Sequence, residues 1–84
     1  MDPHCFYLYT VEAGEHWPEW FCIEVTTPNG SQADITRYQV GDAMVDATLS
    51  NRLFFHTEAA RAKFLTWAVS AFEIEVVDIS WALT

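Results

Sequence analysis

From residue 6 the chain reads FYLYTVE, with β-branched and aromatic side chains at both alternating positions. That is the pattern of a strand covered on both faces, or of one lying at a dimer contact. After a polar turn, WFCIEVTT sets Phe21, Ile23 and Val25 against Trp20, Cys22, Glu24 and Thr26, the period of two of a half-buried strand. A symmetric hairpin centred on residues 14 to 18 pairs positions whose numbers sum to about 31, which puts Tyr9 rather than Cys5 opposite Cys22. Pro28-Asn29-Gly30 then predicts a tight hairpin into residues 31 to 40, since proline presets φ and the next two residues tolerate positive φ. There SQADITRYQV alternates weakly, Asp34, Thr36 and Tyr38 against Ala33, Ile35 and Arg37, as in a solvated or edge strand.

Gly41-Asp42 breaks the pattern, and Asp42 is a cap for a short helix through Met44, Val45, Ala47, Thr48 and Leu49, ending near Ser50-Asn51. RLFFH, 52 to 56, reads as a short strand entering the clearest helix, with Thr57 as N-cap and Glu58 in the first turn. On a helical wheel Ala60, Phe64, Leu65, Ala68, Ala71 and Phe72 share one side and Ala59, Lys63, Thr66 and Ser70 the other, with Trp67 on the border. EIEVVDIS, 73 to 80, alternates into a last strand. Strand, helix and strand make 52 to 80 a right-handed crossover between parallel strands. The expected fold is α+β, one small domain over 1-84. A mixed four- or five-stranded sheet, an N-terminal antiparallel meander followed by strand-helix-strand, carries one main helix on one face.

Composition fits a folded chain: 51% of the 84 residues are apolar and 15% aromatic, far from the make-up of disordered segments. A domain of this size buries only about 60 to 65% of its unfolded surface, so self-association would add to a small margin. There is no basic, apolar leader pattern at MDPHCFYLY and no apolar run of membrane-spanning length. The expected setting is therefore cytoplasmic, with Cys5 and Cys22 as free thiols.

Charge changes the picture most. Twelve Asp and Glu against four Lys and Arg give a formal net charge of −8. Arg37, Arg52, Arg61 and Lys63 are scattered, whereas phosphate contacts need clustered cations. Direct binding to nucleic acid or to an anionic membrane is thus disfavoured, and a basic protein surface is the favoured partner.

No residue pattern spells a reaction. His4, His16, His56, Cys5 and Cys22 lack metal-ligand spacing, so no metal or other cofactor is expected. A Cys22–His56 pair across the sheet would place the thiol among buried strand residues, where the thiolate is disfavoured. Glu73 and Glu75 share a strand face about 7 Å apart, but one sheet and one helix leave little room for a substrate cleft. Gly14, Gly30 and Gly41 are isolated turn glycines. The chain reads as a non-enzyme.

GEHWPEW, residues 14 to 20, is the stretch that points to recognition. Pro18 restricts Trp17 to extended conformations, and a tryptophan with little entropy left to lose suits a binding hot spot. Glu12, Glu15 and Glu19 surround it with charge that speeds encounter with a cation-rich partner. Trp20 is expected to fold over the sheet as a lid, whereas for Trp17 the sequence leaves open whether it does the same or stands exposed. The candidate partner-binding residues are Glu12, Glu15, Trp17, Glu19, Glu73, Glu75 and Asp78. Carboxylates on strands, Glu24, Asp34, Glu73, Glu75 and Asp78, would imitate phosphate spacing. The acidic surface points to an inhibitor or regulator on a basic, nucleic-acid-binding site of another protein. In charge and size alone the chain is similar to small phage-encoded anti-restriction and anti-CRISPR proteins, and no motif ties it to a family. The alternative is a structural or assembly subunit that self-associates as a homodimer through an edge strand and exposed aromatics.

Overall fold

The first two strands form the expected hairpin. In the computed structural model, which describes residues 3–39 and 45–79, β1 (His4–Val11) and β2 (Trp20–Thr26) pair antiparallel with Tyr9 opposite Cys22 and Cys5 opposite Thr26. Both cysteines are free, Cys22 buried and Cys5 half-buried. Period-two alternation sends Phe6, Leu8, Ile23 and Val25 to one face of the sheet, where they are buried.

After β2 the structure departs from the expected hairpin. Pro28-Asn29-Gly30 does turn the chain, with Gly30 at φ 86° and its N–H donating to the Thr27 carbonyl at 2.9 Å. Among the described residues up to 39, a single bridge, Thr26 to Gln32, is the strand pairing that follows. Asp34 accepts from the Thr36 N–H at 2.9 Å and the Thr36 hydroxyl at 2.6 Å. Such a local carboxylate turn competes with ladder bonds, and it opens a 3₁₀ helix at Thr36–Gln39. Ile35 and Tyr38, three residues apart, are both buried, a spacing that a strand cannot serve but a helical turn can. Tyr38 closes one end of the core edge-to-face against Phe6 (5.0 Å) and Phe72 (5.2 Å) and hydrogen-bonds His4 Nδ1 at 2.6 Å.

The expected short helix over 42 to 49 is also corrected where it is described; its cap Asp42 and Met44 lie outside the described residues. Ala47–Leu49 is a strand, β3, antiparallel to β4 (Arg52–Phe55). The pairing begins at Asp46, whose N–H donates to the Phe54 carbonyl at 3.0 Å. Between the strands Ser50 takes a φ of 56°. Buried Asn51 then donates its side-chain amide to the Val25 carbonyl at 2.7 Å and accepts from the Val25 N–H at 2.9 Å, clamping the turn to β2.

The main helix, α1 (Glu58–Ala71), starts where the sequence places it, with Thr57 Oγ1 accepting from the Ala60 N–H at 3.0 Å. Phe64 and Ala68 are buried while Ala60, Leu65, Trp67 and Phe72 pack at the margin. Ala71, expected on the same face, is exposed because the helix ends there as the Phe72 N–H closes on the Ala68 carbonyl. Phe64 stacks with Phe6 at 6.2 Å and tilts against Phe55 at 5.3 Å, and truncating such a ring to alanine costs about 3–5 kcal/mol.

The last strand, β5 (Ile74–Asp78), lies parallel to β1. The five strands run in the order β3-β4-β2-β1-β5. β4 and β5 point the same way, yet β2 and β1 lie between them, so the crossover spans two strands. The result is a mixed sheet with one main helix on one face, an α+β domain. No helix among the described residues is long and apolar enough to cross a membrane.

Candidate functional site

The turn joining β1 to β2 is built around Trp17. The Gly14 N–H donates to the Trp17 carbonyl at 3.0 Å, and the indole Nε1–H returns to the Glu12 carbonyl at 3.0 Å. The indole lies flush on the backbone of Gly14: a Cβ at that position would stand 2.3 Å from two of its ring carbons. Pro18, next in the chain, disfavours the helical region for Trp17 and narrows its backbone freedom. One face of the ring is thereby pinned, and the residue remains 53% exposed. Glu12, Glu15, His16 and Glu19 are all exposed in the same short turn.

The other predicted acids lie elsewhere. β5 pairs with β1 so that Glu75 faces Cys5 and Asp78 faces Leu8, which sets Glu73 near the start of β1, about 30 Å of strand away from the turn. The structure thus brings Glu12, Glu15, Trp17 and Glu19 together and leaves Glu73, Glu75 and Asp78 along the sheet edge. Two further carboxylates expected on exposed strands are already engaged. Glu24 accepts from Arg52 Nε at 3.0 Å. Asp34 stands in a loop rather than a strand, and hydrogen bonds from the Thr36 hydroxyl and N–H hold its carboxyl below the usual range.

The sheet face away from the helix carries a second feature that the sequence reading touched only at Trp20. Registers place Tyr7 beside Glu24, Tyr9 beside Cys22, and Cys22 beside Phe54. Trp20, half-buried, stacks on His56 at 4.4 Å and meets Phe54 edge-on at 5.8 Å. Tyr9, Glu24, Arg52 and Ile79 line a shallow cavity of about 250 Å³. Burial pushes the Tyr9 phenol up to about 12 and raises the Cys22 thiol as well. A thiol made harder to ionise is a poor nucleophile. The alternation of Tyr7, Tyr9, Trp20 and Phe54 within their strands was the available signal for this face.

Of the four Lys and Arg side chains, Arg61 is buried, Arg37 is half-buried, and Arg52 and Lys63 are exposed. Arg61 is buried beneath the sheet, its Nη1 donating to the Tyr9 carbonyl at 3.0 Å and the Cys22 carbonyl at 3.3 Å, with the guanidinium 5.5 Å from the Phe21 ring centre. Arg52 is committed to Glu24. Among the described residues no three His, Cys, Asp or Glu side chains converge as metal ligands. No protein-family model, no curated protein and no solved structure matches this chain.

Proposed function

We propose that this chain is a non-enzymatic interaction module, an inhibitor or regulator that docks on a basic site of another protein through Trp17 and the carboxylates around it. The observation that carries the reading is the pinned indole, exposed by 53% and fixed by Gly14 and the Glu12 carbonyl. A large aromatic that has already lost its rotamer freedom loses little more on binding, and truncating such an anchor costs about 2 kcal/mol or more. Glu12, Glu15 and Glu19 supply long-range attraction toward a cation-rich partner, and a net charge of −8 repels anionic ones. Arg61 is internal and Arg52 is paired with Glu24, so the acids of the turn have no basic neighbour within the turn itself, whose residues from Glu12 to Glu19 include no Lys or Arg. Basic sites on proteins commonly hold nucleic acid, so the partner class is a nucleic-acid-binding protein whose site this chain occupies.

The test is affinity capture from host lysate at low and high salt, repeated with Trp17→Ala and with the double charge reversal E15K/E19K. The expected result is a salt-sensitive basic partner, lost with either variant while the fold is retained and displaced by competing DNA or RNA. Equal capture by the charge-reversed protein would overturn the reading.

A further inference from the structure

β5 is an edge strand: it pairs with β1 on one side, and no described residue pairs with it on the other. The phase of that pairing is fixed by two bonds, His4 N–H to the Glu73 carbonyl at 3.4 Å and Ile79 N–H to the Leu8 carbonyl at 2.9 Å. Backbone groups alternate sides along a strand, so odd-numbered residues of β5 serve β1. Ile74 and Val76 therefore turn their N–H and C=O groups outward. The edge is open to solvent as well as unpaired: Glu75 is exposed, and Val76, at 41%, is one of the few large aliphatic side chains left on the surface. An exposed edge strand is the arrangement that folded proteins ordinarily blunt with charged side chains, lysine above all, with proline or with a bulge. IEVVD holds no lysine or proline, and its only charges are the acids Glu75 and Asp78, which repel a second acidic strand and attract a basic one.

Side chains on the two faces of β5 differ in kind. Glu75, with Glu73 in the same phase just before the strand, lies on the face away from the helix, beside Cys5. Ile74 and Val76 lie on the helix face, where Ile74 packs against the core margin. A strand laid against the first half of this edge would meet Glu73 and Glu75 on one face and Ile74 and Val76 on the other, before Val77 and Asp78 reverse the pattern. Opposite charges directly across a ladder stabilise it, and like charges destabilise it. A second copy of this chain brings the same −8 and the same acids, so the complementary occupant is a different polypeptide.

We propose that the outer edge of β5 accepts an extended segment of the partner by strand addition, a segment that alternates Lys or Arg opposite Glu73 and Glu75 with aliphatic residues opposite Ile74 and Val76. Main-chain bonds to Ile74 and Val76 supply the affinity, and the alternation supplies selectivity. This rests on the reading of the partner as basic and adds to it a second contact, separate from the Trp17 turn.

The probe is a seven-residue peptide alternating Lys and Val, blocked at both termini, beside two controls: the same peptide N-methylated along one backbone edge, and one with Glu in place of Lys. Binding is followed by amide exchange and chemical shift on the folded 84-residue protein. Expected are saturable binding of the Lys–Val peptide with slowed exchange at Ile74 and Val76, no binding of either control, and a loss of about fivefold or more with Glu75→Lys. Trp17→Ala should leave this binding unchanged. Binding without protection of Ile74 and Val76, equal binding of the N-methylated peptide, or no binding overturns strand addition. Loss of peptide binding with Trp17→Ala but not with Glu75→Lys would overturn it too, while leaving the turn as the docking site. Protection of the same amides that grows with protein concentration, with a dimer in sedimentation, would assign the edge to a second copy and overturn the proposal.

Discussion

Trp17 rests directly on Gly14, so closely that the smallest side chain added at residue 14 would sit 2.3 Å from the indole ring. No real Cβ contact is that short, so Gly14→Ala must displace the ring and break its bond to the Glu12 carbonyl. The expected stability loss is small, about 1 kcal/mol for one partly exposed hydrogen bond. The effect on recognition should be larger, since the freed indole regains the rotamer entropy that its pinning had removed. Partner affinity is expected to fall roughly tenfold in Gly14→Ala with little change in the urea midpoint. Unchanged affinity would show that the indole needs no fixing to bind.

Arg61 offers a separable test of the interior. Its guanidinium is buried without a carboxylate partner among the described residues and is held by the carbonyls of Tyr9 and Cys22. Those residues face each other in the β1–β2 register. Val25 turns its N–H toward Asn51 and away from β1, so by alternation Cys22 and Tyr9 bond each other and keep ladder partners without the arginine. An apolar side chain of similar length should then be tolerated, because it removes a desolvated charge along with its bonds. Arg61→Met is expected within about 1 kcal/mol of the parent, and Arg61→Glu to cost about 3 kcal/mol or more by placing a carboxylate against two carbonyls. Urea unfolding of both variants checks this. A large loss in Arg61→Met would mean that the guanidinium itself organises the hairpin.

Where structure is decided within a few residues, the sequence was sufficient. The 14-to-18 turn follows from Gly14 and Pro18, the Tyr9–Cys22 pairing from hairpin symmetry, and the start of α1 from Thr57. The segment 31 to 39 misleads because its polar alternation resembles a strand, whereas Asp34 bonds its own chain and Tyr38 needs the core. Ala47–Leu49 misleads for the opposite reason: its conformation is set by β4, a partner further along the chain. The edge position of β5 was out of reach, since burial periodicity says which face a residue takes and nothing about which strand lies beside it. Arg61 was hidden because an arginine on a helix ordinarily reads as solvated.

Burial of Tyr9 and Cys22 predicts an alkaline limit. Tyr9 is raised from 10.0 to about 12 and Cys22 is raised in the same direction, burial being the largest cause for both. A group whose folded value is raised favours folding fully below its unfolded value and loses that contribution as pH climbs through the folded one. The Tyr9 contribution should therefore decline between pH 10 and about 12, and that of Cys22 from pH 9 upward. Tyr7 and Tyr38 are raised as well, so absorbance titration should show late phenolate steps of which Tyr9→Phe removes one, and the variant's decline over the same interval should be shallower. An identical alkaline profile in Tyr9→Phe would place the loss elsewhere.

On the acid side the sign reverses, and Asp34 is the residue to follow. Its carboxyl is held below the ordinary 3.8, first by the hydrogen bond from the Thr36 hydroxyl and then by the Thr36 N–H. A depressed carboxyl stabilises the fold above its unfolded value and ceases to do so as pH falls through the folded one. Asp34→Ala should be less stable than the parent at neutral pH, with the gap closing as pH drops below 3.8. Asp34→Asn keeps the Oδ1 that accepts both bonds but loses the charge that strengthens them, and should fall between them at neutral pH, without the acid-dependent change. Thermal midpoints of the three proteins from pH 7 to pH 2.5, read beside exchange at the Thr36 amide, check the assignment. A gap between Asp34→Ala and the parent that stays constant across that range would mean that the loop is held by the buried Ile35 and Tyr38 and owes nothing to the carboxylate.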